Sequence, residues 1–364
     1  MVLARDLPSD VFGFSLVTTG QPLTQKAILR IHEIGIPGVY IQSGLIPDID
    51  FNVDEIISPA TQKKLITGIR KQFDDYYSQA VITDDAINSF YEMSADIVTS
   101  VLSKDYVFVN LVNIKRYDDY TYSHSAMVAL VGTMIGTRLG MKRQELEALS
   151  TCGLMHDIGK MDIPLSIINK PARLTDEEMT IIRQHPSNAV LRLRDNRNFN
   201  CMVLRGIECH HEKYDGSGYP HHLKGEEIPL FGRVLALADV FDALTSKRPY
   251  RDSWPADQAI EYMMGLSGTH FDHDLLTAFL SVIAAYPVGT VVQLSNDFVG
   301  VVVNNTPGMT LRPAVKVISP DTAANQLLDL ANDTSCLSIT VAKTVTDMSQ
   351  LPDTVFAPPA PVEA

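Results

Sequence analysis

Apolar positions along the middle of the chain recur with helical spacing. From Asp84 to about Tyr286 nearly every segment carries this period, and Met127, Leu130, Val131, Met134 and Ile135 fall on one face of a predicted helix. The spacing predicts an all-helical central domain with short loops. Both ends of the chain differ. Between Val11 and Ile41 an apolar strand-like run precedes a helical one, with Gly20-Gln21-Pro22 and Gly35-Ile36-Pro37-Gly38 as turns. Strand, turn, helix and strand follow, with Thr24 as N-cap of a helix Gln25 to Ile34 that aligns Ile28, Ile31 and Ile34, and Val39-Tyr40-Ile41 as the next strand. Ser58-Pro59 starts a helical connector through Leu65, Ile69 and Phe73, because serine accepts from the backbone and proline is tolerated at the first helical position. After Pro287 the β-branched runs Thr290 to Val292, Val299 to Val303 and Val315 to Ile318 predict a small antiparallel β appendage. Pro352 to Ala364 holds four prolines and no period, which predicts a disordered tail.

The fold class read from these elements is mainly α: a helical bundle with a small N-terminal α/β module and a small C-terminal β appendage. The boundaries are 1–57 for a regulatory module, 58–83 for the connector, 84–286 for the bundle, 287–345 for the appendage and 346–364 for the tail. A length of 364 residues with 45% hydrophobic and 20% charged residues fits such a multi-domain globular chain. The formal charge of −13 opposes non-specific adhesion to polymeric nucleic acid or to an anionic membrane, so an anionic substrate would need a local basic pocket. Cys152, Cys201, Cys209 and Cys336 form no CxxC pair, and no secretory leader or apolar run long enough to cross a bilayer is present, which predicts a cytoplasmic protein.

The candidate chemistry lies in the helical domain. His124, His156-Asp157, His185, His210-His211 and Asp239 follow one another at intervals of roughly one helix-loop-helix pitch, so antiparallel helices can deliver all of them to one level of a bundle. One histidine on a helix is ordinarily a packing or surface residue. Seven residues in register indicate a metal site. Imidazole and carboxylate donors without thiolate suit iron or manganese better than a structural zinc cage, and Cys152 and Cys209 read as small helix-packing residues. A carboxylate such as Asp157 can bridge two ions. Two such ions can clamp the attacking and leaving oxygens at phosphorus and yield hydroxide at neutral pH, which makes phosphoester hydrolysis the natural chemistry.

The segments His156-Asp157-Ile158-Gly159-Lys160, Gln184-His185-Pro186 and His210-His211-Glu212-Lys213-Tyr214-Asp215-Gly216-Ser217-Gly218-Tyr219-Pro220 resemble the HD-GYP group of HD-domain metal-dependent phosphohydrolases. Ala238 to Thr245 and Lys247-Arg248-Pro249-Tyr250-Arg251 look like the downstream segments of that group, and the resemblance covers roughly Asp84 to Tyr286. It implies an HD-type bundle that hydrolyses cyclic di-GMP to pGpG and onward to GMP, with two divalent metals, iron or alternatively manganese. Carried over, His124, His156, Asp157 and Asp239 hold one ion, and Asp157, His185, His210 and His211 the other. Lys160 neutralises the scissile phosphate beside the catalytic Asp157. Arg248 and Arg251 pair with phosphate or guanine. Some members bind a third metal through a glutamate four residues before the first histidine, but that position is Tyr120 here, so two metals are expected, with Asp118 and Asp119 as poor substitutes.

The Gly216 to Pro220 loop, with Tyr219, reads either as a turn or as a segment that shapes substrate access and, by the resemblance, docks a diguanylate cyclase domain. His221 and His222 read as exposed. A homodimer stays open. Three other readings remain: a phosphodiesterase for another cyclic dinucleotide such as cyclic GMP-AMP, a catalytically weak cyclic di-GMP receptor, and a di-iron oxygenase. The filled ligand set weighs against the receptor. Lys160, Arg248 and Arg251, which oxygenase chemistry does not require, weigh against the last.

Overall fold

The computed structural model describes residues 2–3, 7–8, 15–18, 20–33, 39, 41–42, 56–79, 82–103, 120–168, 170, 172–194, 199–246, 253–319 and 321–345. Asp118, Asp119, Arg248, Arg251 and the 346–364 tail lie outside them. The chain divides into two compact units, one of residues 1–54, 110–118 and 283–364 and the other of residues 55–109 and 119–282.

In the first unit, β1 (Val2–Leu3) pairs with β4 (Ile41–Gln42), and β2 (Leu7–Pro8) pairs with β3 (Ser15–Val17), both antiparallel. Between them α1 (Gln25–Glu33) starts at Thr24, whose hydroxyl accepts from the Ala27 amide at 3.2 Å. The expected helix and flanking strands are therefore present as local elements, but an N-terminal α/β module is not shown, and Ile34 falls outside the described residues.

The helical unit starts with α2 (Pro59–Gln79) and α3 (Asp84–Leu102), followed by α4 (Tyr120–Arg138) and α5 (Arg143–Met155). Thr83 caps α3 by accepting from Ala86 at 3.2 Å, and Asp84 and Asp85 place negative charge in its first turn. A tight turn, Ile158–Asp162, and the short α6 (Leu165–Ile168) lead to α7 (Asp176–Ile182), α8 (His185–Leu193) and α9 (Cys201–Cys209). The unit ends with α10 (Leu230–Thr245), α11 (Ala256–Gly265) and α12 (His273–Leu280). Among the described residues no helix is long and apolar enough to cross a membrane.

The α4 helix packs against α3, α5 and α10, and every residue from Ser123 to Gly136 is buried. Its sequence suggested one apolar face. The structure surrounds it instead, because Val128, Ala129, Gly132 and Thr133 on the opposite side are also small or apolar enough to be enclosed. The α4–α5 approach is close: a Cβ on Gly153 would lie 2.6 Å from the Ala129 Cα. Burial is as complete along α10, where Phe241 meets Phe279 of α12 edge-on at 5.1 Å.

The C-terminal sheet runs β8 (Leu327–Asp329), β7 (Ala314–Ser319), β6 (Val299–Asn304), β5 (Val291–Leu294), β9 (Val341–Thr344), with antiparallel neighbours throughout. Three strands fall on the β-branched runs. The outer pair, β8 and β9, was not expected, because edge strands bury too little to need a continuous apolar run.

Phe241→Ala removes a wholly buried ring from the helix that also carries Asp239. It should cost about 3 to 5 kcal/mol of stability. Denaturant unfolding of both proteins measures this, and a loss below about 1 kcal/mol would contradict the packing described.

Candidate metal centre

Five imidazoles and two carboxylates meet inside the helical unit, and most of them come from helix ends. His124 lies on the first turns of α4, His156 caps the end of α5 with Asp157 next, His185 opens α8, His210 caps the end of α9 with His211 next, and Asp239 lies within α10. Nε2 of His124 stands 3.2 Å from Nε2 of His156, and Nε2 of His185 stands 3.3 Å from Nε2 of His210. Asp157 sits between the pairs. Its Oδ2 is 3.4 Å from His156 Nε2 and 3.7 Å from His124 Nε2, while its Oδ1 is 3.4 Å from His185 Nε2. Asp239 reaches His124 Nε2 at 3.2 Å and His211 Nδ1 at 3.8 Å. Two groups result, His124/His156/Asp157 and His185/His210/His211, each with donor atoms within 4.8 Å of one another.

A close backbone approach makes this possible. A Cβ on Gly159 would lie 1.9 Å from the His185 carbonyl oxygen and 2.7 Å from the Ala189 nitrogen, so only glycine lets the turn that carries Asp157 and Lys160 rest on the first turn of α8.

The outward side of each ring fixes its tautomer. Nδ1 of His156, His185 and His210 faces the carbonyl oxygen three residues earlier, of Gly153, Ile182 and Ile207, at 2.8, 2.8 and 2.5 Å. A carbonyl only accepts, so each Nδ1 donates and each ring turns its Nε2 inward. His124 Nδ1 donates to Asp242 Oδ2 at 2.7 Å. Asp242 was missed from the sequence, although its place one turn after Asp239 on α10, buried at 1% exposure, is a signal in retrospect.

Burial drives the His185 imidazole down to about 3, with Lys160 and His211 adding to the effect against Asp157. Burial likewise lowers His211 to about 4 and holds His210 well below the usual range. These rings are neutral at pH 7. Two neutral nitrogens of His185 and His210 therefore present lone pairs to each other across 3.3 Å, an arrangement that becomes favourable when a cation lies between them. Buried Asp157 Oδ1 has no hydrogen-bond partner. Burial alone would raise the Asp157 carboxyl, but His156 and Lys160 outweigh it and keep the group ionised. Facing lone pairs, an orphaned carboxylate oxygen and a thiolate-free donor set together fit divalent metal ions. His124 differs: burial opposes its charge, yet Asp239 and Asp242 push it up to about 9, so a proton occupies its Nε2 in the metal-free chain.

The opening is on one side. The His211 side chain is 25% exposed and that of Asp239 13%, against 4% or less for His124, His156, Asp157 and His185. Lys160, one third exposed, pairs with Asp157 Oδ2 at 2.6 Å. The Tyr219 ring stacks on His211 at 4.8 Å, and buried Glu212 shapes its loop by accepting from the His221 and Leu223 amides at 2.6 and 3.2 Å. Burial and the nearby Asp239 and Asp157 push the Tyr219 phenol up, so it stays neutral. His221 pairs with Glu208 at 3.0 Å and, like His222, is exposed and apart from the cluster. Cys152 and Cys209 are fully buried packing residues.

Residues 108–275 match the family model described as HD domain, a span that holds all seven expected ligands. A cyclic di-GMP phosphodiesterase of Pseudomonas aeruginosa is 39% identical over 239 residues, covering 66% of this chain and 56% of that protein. A 3'3'-cGAMP-specific phosphodiesterase of Vibrio cholerae is 34% identical over 230 residues, covering 63% of this chain and 43% of that protein. The chain thus spans about half the length of the curated relatives it matches. Bd1817, a HDG"Y"P protein of Bdellovibrio bacteriovorus, shares the fold at a TM-score of 0.52 and 16% identity, over 77% of this chain and 94% of that one.

Gly159→Ala must push α8 away from the Asp157 turn, which should cost about 1 to 3 kcal/mol and lower metal content after identical loading. Wild-type metal content and melting temperature would contradict the close approach. Metal uptake should also displace the His124 proton, so affinity should rise as pH climbs toward 9 and proton release should fade above it. Calorimetry in buffers of different ionisation enthalpy measures that release, and none at pH 7 would show His124 to be neutral beforehand.

Proposed function

We propose, from the match of residues 108–275 to the HD-domain family model, that this chain is a metal-dependent phosphodiesterase that hydrolyses cyclic di-GMP to pGpG or GMP. The observation that carries the reading is the orphaned Asp157 carboxylate oxygen among inward-facing imidazoles, beside the ammonium of Lys160. His124, His156, Asp157 and Asp239 would hold one divalent ion and Asp157, His185, His210 and His211 another, with iron as the first expectation and manganese as the second. Bound there, such ions supply Lewis-acid polarisation of the phosphodiester and acidify water.

The chain's own residues do the rest. Lys160 stands at the exposed edge, where its ammonium can leave Asp157 and meet the scissile phosphate. The committed Nδ1 hydrogen bonds hold the rings in place, so little reorganisation accompanies binding. Tyr219 forms a neutral aromatic wall beside His211. Arg248 and Arg251 supply further phosphate or guanine contacts in this reading. The P. aeruginosa relative is named for cyclic di-GMP and the V. cholerae relative for cGAMP, which keeps cyclic GMP-AMP as the second substrate to test. A diguanylate cyclase domain at the Gly-Tyr-Pro loop, regulation through residues 1–57 and a homodimer complete the proposal.

Anaerobic purification with metal analysis and product identification from both cyclic dinucleotides tests it. Asp157→Ala should abolish hydrolysis and lower metal content, while Lys160→Ala should keep the metal and slow turnover by roughly 100-fold or more, the loss of about 2.7 kcal/mol or more typical of one charge-stabilising contact. An active, metal-replete Asp157→Ala protein would sink the assignment.

A further inference from the structure

The exposed edge of the centre carries a cation for which the reading so far has no role. Arg183 follows α7 and precedes His185 by two residues, and its side chain is exposed. Its guanidinium lies over the Tyr219 ring, 5.5 Å from the centroid. The His211 imidazole stacks on the same ring at 4.8 Å and 27°. Tyr219 thus contacts both an expected metal ligand, His211, and the exposed cation of Arg183.

Its pairing bears on its role. Arg143, Arg192, Arg205 and Arg233 each sit on a carboxylate, of Glu147, Asp162, Glu208 and Asp272, whereas among the described residues Arg183 has none, and unlike Arg138 and Arg312, which bond to Ser281 and to backbone carbonyls, it rests on an aromatic ring at the edge of the centre. In a chain of net charge −13 an unneutralised guanidinium held beside a polar opening is set to meet an anion or another acceptor-rich group. Its chemistry matters too. A guanidinium held beside a phenol presents its N–H donors in a fixed fork, a geometry that matches paired acceptors and that an ammonium cannot reproduce.

We propose that Arg183, aligned by Tyr219, is a specificity-determining residue that binds the half of the cyclic dinucleotide not being cleaved. The inference rests on the phosphodiesterase reading above. In that reading Lys160 and the metal ligands address the scissile phosphate, and Arg183, exposed at the edge beyond Tyr219 and His211, is left for the rest of the ligand. Its N–H fork takes paired acceptors, found on the second phosphate and on the O6/N7 edge of guanine.

The test compares metal-loaded wild type, Arg183→Ala and Arg183→Lys on cyclic di-GMP and on bis(p-nitrophenyl) phosphate, a diester with no second half. The ratio of kcat/KM for cyclic di-GMP to that for the small diester should fall about tenfold or more in both variants, since lysine keeps the charge and loses the fork. Inhibition of small-diester hydrolysis by cyclic di-GMP and cyclic di-AMP separates the two sources: an equal loss for both ligands places the contact on phosphate, and a loss for cyclic di-GMP alone places it on guanine. A ratio within twofold of wild type in an active Arg183→Ala protein overturns this inference alone. Absence of cyclic di-GMP hydrolysis by the metal-loaded wild type overturns the functional reading and this inference with it.

Discussion

Buried imidazole nitrogens that face one another without protons between them are the constraint around which the helical unit is organised. His185 and His210 are neutral, their Nδ1 atoms are committed to backbone carbonyls, and their Nε2 lone pairs meet across 3.3 Å beside an unpartnered carboxylate oxygen. Hydrophobic packing around α4 and α10 is what keeps these groups together, because an isolated cluster of this kind would separate to hydrate its nitrogens. The tight core and the polar centre are therefore linked. Small residues such as Gly153 and Gly159 let the backbones approach, and that approach sets the distances between donors.

The same local device recurs at three helix ends. A helix leaves its last carbonyls without amide partners, and His156, His185 and His210 each use one of them, from Gly153, Ile182 or Ile207, as the acceptor for Nδ1. One contact satisfies the backbone, fixes the tautomer and aims the opposite nitrogen inward. Because α5, α7 and α9 all end here, their C-terminal dipoles point partial negative charge at the place where cations are expected. The other two rings face carboxylates: His124, on α4, donates Nδ1 to Asp242, and His211 turns Nδ1 toward Asp239 at 3.8 Å. Asp239 and Asp242 together outweigh burial at His124 and push it up to about 9, while burial prevails at His185 and His211 and holds them near 3 and 4.

The helical domain and the residues that meet at its centre were legible in the sequence because helix period and dipeptides such as His156-Asp157 are local patterns. What needed the third dimension was any contact between distant segments. Asp242 resembles an ordinary helix acid until the structure brings it to His124, 118 residues earlier. Glu212 resembles a surface residue of a charged loop, yet it is buried and closes that loop by accepting two of its amides. The complete burial of α4 was hidden for a related reason: alanine, glycine and threonine are ambiguous in a periodicity argument, and neighbouring helices decide whether they are enclosed. The strands β8 and β9 lack β-branched runs and are set by pairing with β7 and β5.

Charge links the interior to the edge. The chain as a whole repels anions, and the centre itself contributes the carboxylates of Asp157, Asp239 and Asp242. Screening over roughly 8 to 10 Å at ordinary salt weakens the distant acids more than cations in direct contact, so a few positioned residues can reverse the field where it matters. Lys160 is placed to do this in the proposed reading, and its ammonium pairs with Asp157 at 2.6 Å. Ions bound among the donors would compete for that same carboxylate and release the ammonium toward the opening. Filling the centre and freeing its cation would thus be coupled through the Asp157 carboxylate, tying an anion's access to the state of the buried ligands rather than to the net charge of the surface.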